Sequence, residues 1–338
     1  MKKKFILIIT TAIVLVLSIL LGRLYFSNQG NFVSQEKVVY LHEDITPEQA
    51  IVLLGKDSII SDLSSFELLI RLKNVQRFKS GRYKITNGIR TNQLINMFRA
   101  GLQNPVLVKV DGVRDIYNLA GSLSKQLKHD STEFIKAMLD PKILSEHKLK
   151  QEEAMSLILP NTYELFWNIS PEKFMDRMIQ ISTNYWSQEK LDKANKLKLS
   201  ISEVYTLASI VKGETIKKDE ASKIAGLYLN RLQIGMPLEA DPTVTFALKL
   251  KGAQRVYFND LKVTSPYNTY KNKGLPPGPI FMVEPHFLDA VLDAEKHNYI
   301  FMCAQPGRTG LHNFATNFGQ HSANAALYRK WLNENNIH

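Results

Sequence analysis

Glu214 is the residue whose position in this chain most needs a chemical explanation. It lies in ASIVKGETIKKDE (208–220), after Val204, Leu207, Ala208 and Val211, whose spacing marks the apolar face of a helix. At about 100° per residue, Glu214 falls within about 20° of Leu207 on that face, and Lys212 projects to the opposite side. A carboxyl among apolar neighbours loses hydration, so its pKa rises. A glutamic acid still protonated near neutral pH is what a general acid for glycoside cleavage requires. The competing reading is a surface ion pair with Lys217 or Lys218, three and four residues on. That pair needs the helix to run on through Gly213, Thr215 and Ile216, which weaken it. Periodicity leaves both readings open. Asp241, between Ala240 and Pro242, is the other candidate acid.

Other chemistries lack their residues. The chain has no G-x-S-x-G elbow, no G-x-x-x-x-G-K-[ST] loop and no H-E-x-x-H. Its 8 His are dispersed without metal-ligand spacing, so no metal and no cofactor is expected. Cys303 is the only cysteine, which rules out an intrachain disulfide. In YIFMCAQ it reads as a small residue of a buried strand rather than a nucleophile.

The elements that must position these residues fall into a plain order. Ser200 and Glu203 form an S-x-x-E capping box that starts the helix leading to Glu214. A second helix is expected from about Asp219 to Ile234, with Gly235 as its stop. Three segments then look like loops presenting hydrogen-bonding and stacking groups: 240–248, 265–280 and 311–324. Upstream, residues 124–200 read as mostly helical and polar, interrupted at 159–167 by a turn packed with aromatics.

Further upstream, DITPEQAIVLL (44–54), GIRTNQLINMF (88–98) and GVRDIYNLAGSL (112–123) each read as a turn, a Thr or Asp suited to cap, and a helix. FKSGRYKI (78–85) and PVLVKV (105–110) are strand-like. Such units make a small α+β module resembling the LysM-like glycan-binding domain of cell-wall proteins, with a ligand-free spacer as the alternative.

Net charge is +11 and the sequence pI about 9.4, which could suit nucleic acid, anionic lipid or an acidic polymer. The Lys and Arg are scattered and no nucleic-acid signature accompanies them, so no nucleic-acid partner is expected. MKKK followed by the apolar run Phe5 to Leu21 reads as an uncleaved signal anchor. Lys2, Lys3 and Lys4 would hold its start in the cytoplasm, with the remainder outside.

ASIVKGET, LYLNRLQIGMPLEADPT, SPYNTY, GLPPGPI and HNFATNFGQH, in this order, resemble the motif series of the YceG-like endolytic murein transglycosylases. The resemblance covers nearly the whole chain. It implies an α+β protein with a transmembrane helix, a LysM-like module and a mixed α/β catalytic domain. The corresponding division is 1–26 tail and anchor, 27–36 tether, 37–104 LysM-like module, 105–199 linking region and 200–338 catalytic region. It also implies cleavage of peptidoglycan glycan strands between N-acetylmuramic acid and N-acetylglucosamine, leaving a 1,6-anhydro end. Glu214 matches the family's catalytic glutamate, and Asp241, Asn268, Tyr270 and Asn317 match pocket positions expected to position substrate. Lys212 departs from the family's E-K-E-T pattern and Asn161 from its usual Asp. The implied partners are glycan strands, the membrane and, as a candidate, the wall-synthesis machinery. The rival expectation is a non-catalytic, membrane-anchored wall-binding scaffold.

Overall fold

Alternation of helix-capping residues with short apolar strands produces a mixed α+β chain. The computed structural model describes residues 2–28, 36–56, 59–60, 63–250, 256–307 and 309–335. Most of the expected tether, 29–35, lies outside the described residues. The elements run α1 (Lys2–Asn28), β1 (Lys37–Leu41), α2 (Pro47–Lys56), α3 (Leu63–Leu72), β2 (Gly81–Ile85), α4 (Thr91–Ala100) and β3 (Val106–Val110). Then come α5 (Ile116–Leu123), α6 (Ser131–Met138), α7 (Pro141–Glu146), β4 (Asn161–Leu165), α8 (Pro171–Tyr185), α9 (Gln188–Leu197) and α10 (Ile201–Glu214). The chain continues with α11 (Lys218–Gln233), α12 (Asp241–Ala247), α13 (Pro285–Leu292), β5 (Phe301–Ala304), β6 (His312–Ala315) and α14 (Phe318–Glu334). The strands pair as β1 with β2, β3 with β4, and β5 with β6.

Two compact units emerge. One comprises Met1–Val108, Gln126–Lys128 and Tyr163–Ile169; the other comprises Lys109–Lys125, His129–Thr162 and Ser170–His338. In the first, β1 and β2 are antiparallel, with Val39 opposite Tyr83, and α2 and α3 lie between them in the chain. Its core is joined by an aromatic chain, Phe66–Phe78–Phe98–Tyr83, with ring centroids 6.3, 5.8 and 4.7 Å apart. Thr46 caps α2 as expected, its Oγ1 accepting Gln49 N–H at 3.4 Å while its own N–H donates to Gln49 Oε1 at 2.8 Å. Thr91 does not cap α4: it is buried in the first turn, and Arg90 takes the cap position. The stretch Lys4–Gly22 is long and apolar enough to cross a membrane.

In the second unit α10 is the hub. It starts at the expected box, with Glu203 N–H donating to Ser200 Oγ at 3.2 Å and Ser200 N–H to Glu203 Oε2 at 2.8 Å. Every residue from Val204 to Val211 is buried, so α10 is enclosed on all sides and not on one face. Its polar residues take up the surrounding backbone. Tyr205 Oη accepts Val283 N–H and donates to Ile158 O, both at 3.0 Å, and Ser209 Oγ accepts Ile280 N–H at 3.0 Å. These bonds hold 280–283 against α10, while α11 and α13 complete the core.

Three segments differ from expectation. Residues 159–167 contain a strand, in which Tyr163 and Leu165 are buried while Glu164 is exposed. In 240–248, Asp241-Pro242 opens α12 rather than a loop, proline being favoured in a first helical turn. Residues 311–324 divide into β6 and the start of α14, so only 265–280 remains a loop of turns.

Candidate active site

α10 ends at Glu214. Thr215 is extended (φ −146°, ψ 145°), its N–H closing the helix on Val211 O at 3.2 Å, and α11 begins only at Lys218. Lys217 and Lys218 therefore do not occupy the next helical turn, which removes the geometry of a surface ion pair. Lys212 leaves the site altogether: its ammonium donates to Met282 O at 2.7 Å and to Glu284 at 2.9 Å.

What Glu214 does meet comes from α11. Tyr228, itself buried, donates its hydroxyl to Glu214 Oε1 at 2.7 Å. Dense packing around the carboxyl pushes its pKa up to about 7. The Tyr228 hydrogen bond opposes that rise, the Asp241 charge adds to it, and Arg231 pulls it down. The C-terminal end of a helix also disfavours negative charge. Glu214 nonetheless keeps part of its surface open to solvent.

Asp241 reaches the same place because Gly213 lets it. A Cβ on Gly213 would stand 2.6 Å from Pro242 Cβ, so only glycine allows the first turn of α12 to pass beside the end of α10. Tyr270 donates to Asp241 Oδ1 at 2.7 Å. Burial, chiefly, and the Asp241 bond push the Tyr270 pKa upward; burial and Glu214 do the same to Tyr228, so both remain donors. Behind them, Thr269 accepts Ala240 N–H and bonds Thr243 at 2.9 Å, locking the 265–280 loop to α12. Arg231, buried, fans onto Leu238 O, Glu239 Oε2 and Ile300 O. Glu239 is held at φ 51°, a left-handed conformation that a side chain tolerates only when its surroundings impose it.

Of the residues expected from sequence, Glu214, Asp241 and Tyr270 thus converge on one cavity of about 300 Å³. Asn268 is fully buried behind it, donating to Leu261 O and Val263 O and accepting Tyr270 N–H. Asn317 caps α14, accepting Gln320 N–H at 3.0 Å, and is exposed.

Sequence reasoning missed Tyr228 and Arg231, one helical turn apart on α11 inside LYLNRLQ. It also missed His312, whose backbone N–H and Nδ1–H both bond the buried Glu220 carboxylate, at 2.7 and 2.9 Å. Cys303 was expected in the core but is half-buried on the cavity wall, and burial pushes its thiol pKa up, which keeps it un-ionised. Among the described residues no group of three or more His, Cys, Asp or Glu is placed to hold a metal ion. The arrangement can donate a proton from a part-buried carboxyl, with a second carboxyl group, that of Asp241, on the same cavity.

The profile of the YceG-like family matches residues 39–327. An endolytic murein transglycosylase of Bacillus subtilis (strain 168) is 27% identical over 269 residues, which is 75% of this chain and 74% of that protein. One from Streptococcus pneumoniae (strain D39) is 24% identical over 303 residues, 81% of this chain and 55% of the relative, so the chain spans about half of that longer protein. A crystal structure of a YceG-like protein from Listeria monocytogenes shares the fold, with a TM-score of 0.57 at 24% identity, covering 86% of this chain and 99% of that one.

Proposed function

The chain belongs to the YceG-like family, and we propose that it is a membrane-anchored endolytic peptidoglycan transglycosylase in which Glu214 is the acid and then the base. The observation that carries this reading is the Glu214 carboxyl, raised to about 7 in a cavity it shares with Asp241 and Tyr270. Near neutral pH a substantial fraction holds a proton, while Tyr228 engages only Oε1 and leaves Oε2 for the substrate.

The reaction needs one such group. Protonated Glu214 donates to the bridging glycosidic oxygen as the C1–O bond breaks and positive charge develops at C1. The resulting carboxylate takes the proton from the C6 hydroxyl of the same muramic residue, whose oxygen closes onto C1. The intramolecular nucleophile supplies a high effective concentration, and no water is added. Asp241, which lines the same cavity, is proposed to stabilise the charge at C1. Tyr270 orients Asp241, Asn268 acts by holding the Tyr270 backbone, and Asn317 by fixing the start of α14. The non-catalytic wall-binding scaffold loses the departure that suggested it, since Lys212 is occupied by Met282 O and Glu284.

Residues 200–338 serve as the catalytic region, and 37–104 as the LysM-like module. The β1–α2–α3–β2 order, with its own core, supports an independent binding module. The apolar run of α1 would anchor the chain, with the catalytic region outside. The full chain in detergent, given purified glycan strands, is expected to release products lighter by one water than hydrolysis products, with no reducing muramic end. Products carrying reducing ends would replace this reading with a hydrolase.

A further inference from the structure

Glu214 lies on the boundary between two cavities of different chemistry. The first, of about 300 Å³, carries the Asp241 carboxyl and also Glu239, which is paired with the Arg231 guanidinium on the same wall. The second, of about 380 Å³, is bordered by the aromatic residues Tyr328 and Trp331 and by Leu332, all on α14; Glu214 is its one acidic residue among those described. Glu214, Ala304 and His312 line both. The rings of Tyr328 and Trp331 lie 5.9 Å apart and within 23° of parallel, both half-buried.

Resting on the reaction proposed above, we infer that this asymmetry fixes the direction in which a glycan strand lies across Glu214. The sugar whose C1 becomes positive occupies the Asp241 cavity, because Asp241, which meets Tyr270 and, among the described residues, no cation, stabilises that charge only from the cavity it lines. The sugar that leaves with the bridging oxygen stays uncharged throughout and gains nothing from carboxylates. Its CH-rich ring face suits the Tyr328–Trp331 wall, where apolar contact on flat rings is favourable and rigid. The second cavity is thus a hexosamine subsite on the reducing-end side of the scissile bond. His312 stands between the two sugars, its ring held by Glu220 through Nδ1.

The test uses the full chain in detergent and uncrosslinked glycan strands of defined length, extended either at the reducing or at the non-reducing end. In wild type both extensions are expected to lower KM. Trp331→Ala is expected to abolish the gain from the reducing-end extension, raising KM by about tenfold with kcat changed less than about threefold. The gain from the non-reducing extension should persist, and Trp331→Phe should restore most of the loss. Loss of the non-reducing gain instead would reverse the direction, and an unchanged Trp331→Ala would remove the wall. A binding measurement guards against misfolding: glycan should change tryptophan fluorescence in Glu214→Gln, and that change should vanish when Trp331→Phe is added. A fluorescence change that persists overturns the inference. If wild type cleaves nothing, the reaction reading fails, and the fluorescence arm still decides whether Trp331 meets the sugar.

Discussion

Glu203 and Glu214 sit on the same helix, eleven residues apart, and do opposite things. Glu203, in the first turn of α10, closes the capping box with Ser200 N–H at 2.8 Å, where the helix dipole favours a negative charge. Glu214, the last residue, faces the unfavourable end of that dipole and accepts one described hydrogen bond, from Tyr228. The same side chain is a structural anion at one end and a proton reservoir at the other. Surroundings, and not residue type, make the difference: backbone donors at the start, burial and the nearby charge of Asp241 at the finish.

That contrast can be broken most severely at Glu214 itself. Glu214→Gln keeps the shape but cannot donate or recover a proton, so glycan cleavage should fall by at least about 10²–10⁴-fold in a turnover assay. The equivalent change at Glu203 should leave turnover nearly intact. A smaller loss, on the order of tenfold or more, is expected for Gly213→Ala, because its Cβ meets Pro242 and must displace Asp241 from the carboxyl. Its effect should fall on kcat, and normal kcat would mean that Asp241 does not need its present position.

The pH profile sharpens the comparison. Activity that requires protonated Glu214 should decline as pH rises through about 7. Tyr228→Phe removes a bond that lowers the Glu214 pKa, so the declining limb should move to higher pH. Asp241→Asn removes a charge that raises it, so the limb should move to lower pH. Shifts in one common direction would disprove the assigned contacts.

Stability should record the same group. The folded value of about 7 stands above the ordinary 4.5, so the proton binds more tightly in the folded chain. Its contribution is complete below pH 4.5 and is lost as pH rises through 7. Glu214→Gln, which does not titrate, should therefore gain on wild type between pH 4.5 and 8, by roughly 1–3 kcal/mol in denaturant melts. The smallest effect belongs to Glu203→Ala, about 1 kcal/mol of lost stability with no movement of the pH limb.

How much of this was legible in the chain depends on distance along it. The start of α10 was, because Ser200 and Glu203 are three residues apart and their bonds are local. So was the turning of Lys212 away from Glu214, a matter of helical angle. Tyr228 was not: its hydroxyl finds Glu214 only once α11 folds back along α10. Asp241-Pro242-Thr243 has the composition of a turn, yet proline in a first helical turn opens α12. Asn317 sits among polar residues that suggest a loop, but it is the cap of a seventeen-residue helix. At 159–167 the aromatic cluster drew the reading toward a turn, while the alternation of Tyr163, Glu164 and Leu165 already carried the strand. Gly213, finally, looked like a residue that weakens a helix. Its reason is a neighbour 29 residues on, Pro242, which no local pattern records.

The central claim is that the end of α10 holds its carboxyl protonated near neutral pH. The direct measurement is a carbon-13 NMR titration of the full chain with labelled glutamate side chains, Glu214 being assigned by the signal missing in Glu214→Gln. The account predicts a midpoint near 7. A midpoint at the ordinary 4.5 would contradict it.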